Sequence, residues 1–432
     1  MTVLAHGVGS RTDLPIPLGL ALYGAGAAIL ISFVVLLLFW RTPRLGGPGR
    51  PVPVGVPRLA DSSAVRRGLQ AVALAVAVLV AAGGVAGPAE TSRNLAPWAL
   101  YVTFWIGLVP ASLLLGPVWR VVNPLRLLHR GLRTLLPRAP GAARVPGLGL
   151  WPAAAFLLVF LWFELVLPGR AEPATVAAFL IGYAGVQLVL ALWFGEGWFA
   201  RGEGFEVYST LVARLSPWGR RDDGRLVLRN PLTNAIAAPA EPGLVAAVVV
   251  LLGSTAFDGL SRTVFWQTGP GAANDVLSGT VGLLGMIALV GVLYGVGARL
   301  SGRLAGQPAG VQPRRYAGTV IPIVLGYTVA HYFSLLALDG QTTWILASNP
   351  FGVPGLNLFG SYDNAVDLTA VGSDAIALVQ VGGVVTGHVL GVTLAHERAL
   401  LSARRARASD QLPLVIVMVL FTVGGLGLLF GF

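Results

Sequence analysis

Residues 17–40 read PLGLALYGAGAAILISFVVLLLFW, an apolar run without a charged side chain. A helix of about 20 such residues crosses the roughly 30 Å hydrocarbon core of a bilayer, because each residue adds about 1.5 Å of length. Several more runs of this length and composition follow along the chain. One run predicts a membrane-spanning helix, and the series predicts an all-α polytopic membrane protein.

The composition of the whole chain supports this class. Of its 432 residues, 55% are hydrophobic and only 11% are charged, whereas a soluble protein carries about 25% charged residues. The mean hydropathy is +0.74. The chain has no cysteine, which excludes disulfides, thiolate metal sites and a cysteine nucleophile.

Ten segments qualify as spanning helices, and we expect them to form a single integral membrane domain over residues 1–432. Their approximate bounds are 17–40, 69–87, 97–117, 149–167, 174–194, 243–262, 276–298, 317–338, 373–395 and 413–431. Helical periodicity adds little inside them, since buried helices are apolar on every side. The charges in the connections are more informative.

Arginine is distributed unevenly between alternate connections. All 30 basic residues are arginine, and 26 of them lie in residues 41–68, 118–148, 195–242, 299–316 and 396–412. Cytoplasmic loops carry an excess of basic residues, so we expect these connections in the cytoplasm and both termini outside. Residues 195–242 are then the largest cytoplasmic loop, and residues 339–372 are an acidic extracytoplasmic loop.

The bilayer is the first partner that this topology predicts. We expect a multi-pass protein of a bacterial plasma membrane, with basic loops that attract anionic lipids at the cytoplasmic face. Topology accounts for the net charge of +11, so we expect no nucleic-acid partner. The first sixteen residues, MTVLAHGVGSRTDLPI, have no basic segment before an apolar core. They are therefore interpreted as a short translocated tail rather than a cleavable signal peptide.

Two of the arginine-rich loops contain helical patterns. In the loop 118–148, leucines recur every three or four residues and arginines cluster on another face, at Arg126, Arg130 and Arg133. Residues 205–215 repeat the apolar spacing. Both patterns predict amphipathic helices that lie in the membrane interface, and Asp223-Gly224 predicts a turn between short extended pieces.

The tripeptide NPL occurs in both loops, at 123–125 and at 230–232. Five spans followed by five more would give oppositely oriented halves, as in inverted-repeat transporters. The halves have no alignable similarity beyond this tripeptide, so the repeat is the weaker interpretation.

Five ionisable residues fall inside predicted spans: Glu164, Asp258, Arg262, His331 and His388. Inserting such a residue costs about 2.5–3.5 kcal/mol, so each is a candidate functional residue. The predicted topology places the first four in the outer half of the membrane and His388 deeper.

The functional hypothesis is an outward-opening cavity lined by Glu164, Asp258 and His331 and closed by the loop 339–372. As catalytic residues these three would act as general acid and base or relay protons. As metal ligands, His331 and Asp258, with His6 from the outer tail, would suit Zn²⁺ or Cu²⁺. No HExxH motif or closely spaced ligand pair supports the metal.

A purely structural interpretation of the same residues is also open. Asp258 and Arg262 would pair at i, i+4 near the interface. Glu164 would then lie close to the head groups, and His331 would bond to a neighbouring helix.

The stretch GHVLGVTLAH, residues 387–396, combines two histidines with a glycine ladder at 383, 387 and 391. Small residues at this spacing let another helix approach closely. His388 borders that face, and we expect its hydrogen-bond partner to come from another span. His396 begins the cytoplasmic arginine cluster, where an interfacial position is expected.

Three stretches resemble a family of bacterial, largely actinobacterial, multi-span membrane proteins that are often labelled fenitrothion hydrolase. They are AHGVGSRTDLPIPLGLALYGAG (5–26), TAFDGLSR (255–262) and GHVLGVTLAHERAL (387–400). The resemblance implies hydrolysis of organophosphates, and it would cover most of the chain. It supplies no catalytic motif, so the candidate residues rest on the physical argument alone.

Three classes of function remain open from the sequence. A membrane-embedded hydrolase would take phosphotriesters or other small apolar esters, although the chain lacks the GxSxG elbow and other diagnostic nucleophile motifs. A transporter or ion-handling protein would use the carboxylates and histidines at membrane depth. A membrane subunit or assembly factor would use the glycine ladder and interfacial helices to bind partners.

Overall fold

The computed structural model describes residues 18–136, 147–237, 239–402 and 407–430. We number thirteen helices in chain order: Leu18–Phe39 (α1), Ser63–Ala86 (α2), Leu95–Leu115 (α3), Pro124–Leu135 (α4), Trp151–Leu165 (α5), Pro173–Phe194 (α6), Gly204–Val212 (α7), Pro231–Ile236 (α8), Leu244–Ser261 (α9), Val276–Leu304 (α10), Gln312–Ser334 (α11), Ser373–Ser402 (α12) and Ala408–Phe430 (α13). Shorter helices and turns are Gly55–Asp61, Thr91–Arg93, Val118–Val122, Glu196–Trp198, Phe199–Gly202, Ala213–Leu215, Val264–Thr268, Ala309–Val311 and Gly340–Ala347. The strands are Arg50–Pro51 (β1), Trp218–Arg220 (β2) and Leu226–Leu228 (β3).

Nine of the described helices are long and apolar enough to cross a membrane. They are α1, α2, α3, α6, α9, α10, α12, α13 and the segment Ala309–Ala347 that contains α11. The polytopic, nearly all-helical architecture is thereby confirmed. The predicted fourth span, 149–167, corresponds to α5, which has 15 residues and measures only about 22 Å at the helical rise.

Two spans contain π-helical turns. Residues Trp98–Ile106 form one inside α3, and Leu335–Asp339 form the other directly after α11. The helix then continues as Gly340–Ala347, so the predicted outer loop 339–372 begins later than the sequence suggests. Asp339 is 7% exposed and belongs to this helical segment.

The arginine-rich connections meet at one end of the bundle. Strand β3 pairs with β1 and β2, which joins residues 41–68 to residues 195–242. The amide of Gln307 donates to the carbonyl of Ser402 (2.8 Å), and Nε2 of His396 lies 2.8 Å from the carbonyl oxygen of Trp40. Alternate connections thus lie together, as the charge pattern predicts.

The other connections meet at the opposite end. The hydroxyl of Thr91, between α2 and α3, donates to the carbonyl of Ala171, between α5 and α6 (2.8 Å). The carbonyl of Pro350, in the segment after Ala347, packs against Gly83 near the end of α2. The first and last described residues, at the start of α1 and the end of α13, belong to this end as well.

Helices α11 and α12 make the closest packing in the bundle. A Cβ on Gly387 would lie 2.5 Å from the carbonyl oxygen of Pro322, and a Cβ on Gly326 would lie 2.4 Å from that of Gly383. Only glycine allows two backbones to approach this closely. The predicted role of the glycine ladder is confirmed, with α11 as the partner helix.

Both predicted amphipathic helices exist, and α7 lies inside the protein rather than in the interface. Eight of the nine residues of α7 are buried, and the hydroxyl of Ser209 lies 2.8 Å from that of Ser112 in α3. In α4 the buried face includes Arg126. The arginine turns inward because Glu206 of α7 binds it with two hydrogen bonds, at 2.6 and 2.9 Å.

The repeated NPL tripeptide starts two short helices. The side chain of Asn123 accepts a hydrogen bond from the amide of Leu125 (3.0 Å), and that of Asn230 accepts one from Leu232 (2.9 Å). In both cases proline occupies the first turn, where its missing N–H costs nothing. The tripeptide therefore encodes a helix start, at α4 and α8.

The predicted turn at Asp223-Gly224 is confirmed as the hairpin between β2 and β3.

Replacing Gly387 by alanine should destabilise the protein by about 1–3 kcal/mol, because the new methyl group overlaps the backbone of α11. Gly382→Ala is the matched control, since a Cβ there meets nothing within 4 Å. Thermal unfolding in detergent should show a lower midpoint for Gly387→Ala and an unchanged one for Gly382→Ala. Equal midpoints for the two variants would contradict the packing described above.

Candidate functional site

Asp258 near the end of α9 and His331 near the end of α11 form a buried pair. Nε2 of His331 lies 2.7 Å from Oδ2 of Asp258, and the two side chains are only 3–4% exposed. The hydroxyl of Tyr332 donates to the same carboxylate oxygen at 2.9 Å. A buried carboxylate needs such partners to remain in an apolar surrounding, so the pair also joins the two helices.

Arg262 connects this pair to the outside of the bundle. Its guanidinium lies one turn beyond Asp258, and Nη2 is 3.3 Å from both carboxylate oxygens. The arginine side chain is 44% exposed, whereas that of Asp258 is 4% exposed. The predicted i, i+4 pair of Asp258 and Arg262 is confirmed. Arg262 is the exposed member of this otherwise buried set of polar side chains.

Glu164, in the last turn of α5, is buried next to this group. It is 1% exposed, and it lies within electrostatic range of Asp258, Arg170 and Arg262. Glu164 is therefore enclosed by the protein, and its expected position close to the head groups stays a prediction. The three predicted site residues Glu164, Asp258 and His331 therefore come from three helices and belong to one polar region, the Asp258–His331 cluster, which also includes Arg262 and Tyr332.

The residues that sequence reasoning missed are tyrosines. Tyr332 follows His331 directly in the sequence, and its bond to Asp258 could have been suspected from that adjacency. Tyr327, one turn earlier, has its ring 6.0 Å from that of His331. Aromatic residues inside an apolar span carry no signal of their own, because most of them only pack.

The acidic residues of the segment 339–372 organise that segment itself. The amide side chain of Asn357 donates to Asp363 (3.1 Å), and the backbone amide of Thr369 donates to Asp367 (2.8 Å). The backbone carbonyl of Asp367 also accepts from Gln341 (3.0 Å). These contacts fold the segment against the helix Gly340–Ala347.

Two protein ligands of a metal could come from the Asp258–His331 cluster, which contains an imidazole and a carboxylate. Among the residues that the structure describes, no group of three histidine, aspartate or glutamate side chains is placed to hold a metal ion. The third ligand proposed from the sequence, His6, lies outside the described residues.

His388 belongs to a different environment. It is 2% exposed, and its Nδ1 lies 2.9 Å from the carbonyl oxygen of Val384 on the same helix. The expectation of a partner from another span is therefore wrong, because the hydrogen-bond partner of the imidazole lies on the same helix. His388 takes no part in the Asp258–His331 cluster.

His396 and Glu397 tie the arginine-rich end together. Nδ1 of His396 lies 2.9 Å from Oε1 of Gln411 on α13. Glu397 is fully buried and accepts hydrogen bonds from the indole of Trp40 (2.7 Å) and the backbone amides of Arg44 (2.8 Å) and Leu45 (2.6 Å). These partners enclose His396, and its expected position at the membrane interface stays a prediction.

A further buried carboxylate lies at the start of α7. Glu203 is fully buried and accepts hydrogen bonds from the hydroxyl of Tyr183 (2.5 Å), the indole of Trp119 (3.0 Å) and the backbone amides of Phe205 (3.0 Å) and Glu206 (2.7 Å). Burial raises the pKa of Glu203 to about 7, the hydrogen bond from Tyr183 lowers it, and the neighbouring Glu206 carboxylate raises it.

Comparisons of the chain with protein-family models, with curated proteins and with solved structures find no match. The chemistry of the Asp258–His331 cluster is therefore inferred from its geometry.

The raised pKa of Glu203 predicts a pH dependence of stability. Its pKa in the unfolded chain is near 4.5 and its folded value is near 7, so the folded state holds the proton more tightly. This contribution is complete below pH 4.5 and is lost as the pH rises through 7, a change on the order of 2–3 kcal/mol.

Thermal unfolding of the wild type and of Glu203→Gln at pH 5 and pH 8 measures this effect. Raising the pH should lower the wild-type midpoint more than that of Glu203→Gln, whose side chain does not titrate. Glu90→Gln, on the exposed surface, should behave like the wild type. A wild type that responds to pH no more than Glu203→Gln would contradict the assignment.

Proposed function

We propose that this protein handles protons in a bacterial plasma membrane, with the Asp258–His331 pair as its proton-binding site. The observation that carries the proposal is the geometry of the pair, whose buried acid and base lie 2.7 Å apart between two spanning helices. An intramembrane ionisable pair is expensive to insert, and proton relays are one of the functions for which it is retained.

The proposal includes an orientation. The arginine-rich end would face the cytoplasm, and ten crossings, with α5 as the shortest, would leave both termini outside. Helix α9 starts next to an arginine-rich connection and carries Asp258 near its far end. The cluster would then lie in the outer half of the membrane and exchange protons with the outer side past Arg262.

Burial favours a proton over a larger substrate. Side chains that are 3–4% exposed can exchange a proton through hydrogen bonds or a single water, whereas an organic substrate needs an open cavity. His331 would accept the proton, and the resulting imidazolium would be neutralised by the Asp258 carboxylate. Tyr332 would hold that carboxylate in place throughout.

The π-helical turn that follows α11 supports a functional role for the Asp258–His331 pair. It begins at Leu335, one turn after His331. Such turns are rare and occur frequently at functional sites. A change in this turn would move the end of α11, and with it His331 relative to Asp258.

Proton uptake by liposomes tests the proposal. With the purified protein reconstituted, a potassium gradient and valinomycin set the membrane potential, and an enclosed pH-sensitive dye reports the flux. The wild type should acidify the lumen faster than protein-free vesicles. Asp258→Asn and His331→Gln should each lower that flux at least tenfold, because each removes one member of the pair.

His388→Gln is the matched control, since this histidine is equally buried but bonds only to its own helix. Its flux should stay within twofold of the wild type. A wild type that conducts no faster than empty vesicles, or an equal loss in the His388 variant, would overturn the proposal.

A second candidate is hydrolysis of phosphotriesters, which the resemblance to proteins labelled fenitrothion hydrolase suggests. The hydrogen bond between Asp258 and Nε2 of His331 favours this candidate. It would leave the other ring nitrogen, Nδ1, to act as a general base. His331 would take a proton from water, the water oxygen would bond to phosphorus, and the phenolate would leave. Arg262 would stabilise the negative charge on the phosphoryl oxygen.

Release of p-nitrophenol from a p-nitrophenyl dialkyl phosphate decides this second candidate. Hydrolysis by the purified wild type, with and without added Zn²⁺ or Cu²⁺, should fall at least a hundredfold in His331→Gln. Absence of hydrolysis under all of these conditions would exclude it and leave the proton-handling proposal untouched.

A further inference from the structure

A long groove runs along the surface of α11 and α12, on a different face from the Asp258–His331 cluster. It has a volume of about 670 Å³. Its walls are mainly aliphatic and small side chains, among them Leu113, Leu325, Val329, Gly382 and Thr386. Both long walls are helices that can span a membrane, so the groove lies at the depth of the hydrocarbon core.

The shape of the groove follows from the small residues on α12. A Cβ on Gly382 would meet nothing within 4 Å, so the missing side chain leaves an open channel beside the tight contact with α11. The lining residues of α12 run from Leu378 to Leu390, about 18 Å along the helix.

The volume of the groove suits a chain-like ligand. Ligand sites commonly measure about 300–1,000 Å³, a range that includes one extended hydrocarbon chain. One acyl chain therefore fits the groove.

The groove reaches the arginine-rich end at Leu215, Asn230 and Leu232. Arg229 directly precedes Asn230, and its guanidinium donates to the backbone carbonyl of Arg220 (3.1 Å). In the described part of the chain Arg229 forms no ion pair with a carboxylate. Its charge remains available to an anion at this end of the groove.

Two neighbouring arginines pair with carboxylates. Arg220 pairs with Asp61 at 2.5 Å, and Arg225 lies 3.4 Å from Asp223. Arg229 has no such partner in the described ranges, so its positive charge is available beside Asn230, where a phospholipid of the same leaflet would place its head group.

We propose that this groove binds one anionic phospholipid, with an acyl chain between α11 and α12 and its phosphate near Arg229. Apolar walls hold the chain, and the arginine selects the charge of the head group. The inference does not depend on proton transfer, because the groove and the Asp258–His331 cluster lie on different faces of α11.

Native mass spectrometry of the delipidated protein in mild detergent tests the proposal, with phosphatidylglycerol and phosphatidylcholine of equal chain length added separately. The wild type should retain one phosphatidylglycerol at least fivefold better than phosphatidylcholine. Gly382→Leu should lower the binding of both lipids at least fivefold, because its side chain fills the groove. Arg229→Gln should remove the preference and leave the binding of phosphatidylcholine unchanged.

Gly285→Leu is the matched control, since Gly285 lies on a spanning helix where a Cβ also meets nothing within 4 Å. It should bind lipid like the wild type. Thr386→Phe provides a second filling variant if Gly382→Leu fails to fold. Equal retention of the two lipids by the wild type, unchanged binding in a folded filling variant, or a lipid-free dimer that forms through this face would overturn the proposal.

Discussion

The hydrocarbon core of the bilayer does not tolerate unpaired polar groups, and this constraint shapes the whole protein. The ionisable residues discussed above lie within the spans where another group forms a hydrogen bond or an ion pair with them. Asp258 has His331, Tyr332 and Arg262 as partners. His388 uses the carbonyl of its own helix. The same rule explains why polar contacts gather at the two ends of the bundle and why the Asp258–His331 cluster is unusual within the spans.

The sequence predicts the architecture well, because spans and charges follow from composition. Nine apolar helices appear near their predicted positions, and the arginine-rich connections lie together. The glycine ladder also predicts close packing, since its cause is purely steric. The position of the loop helices is not predictable in this way. The sequence indicates that Arg126 is a surface residue. The structure shows that Glu206, eighty residues later, binds it in the interior.

The Asp258–His331 cluster is partly predictable for a related reason. The cost of burying charge selects Glu164, Asp258, Arg262 and His331 as candidates, and depth places them in the same half of the membrane. Their pairing requires the rotation of α9 against α11, which apolar helices do not encode in their hydrophobic pattern. The burial of His396 and Glu397 is not predictable from the sequence. They stand beside an arginine cluster, yet the protein encloses both side chains.

The bonds between Glu397 and the end of α1 have a consequence for biogenesis. Helix α1 is the first described span to leave the ribosome, and its main packing partners are α12 and α13, among the last. Glu397, which accepts hydrogen bonds from Trp40, Arg44 and Leu45, is also synthesised late. During most of translation α1 must therefore persist in the bilayer as a solitary span. Because the helix has no charged side chain, it is stable alone in the lipid. It packs into the bundle once α12 and α13 have been synthesised.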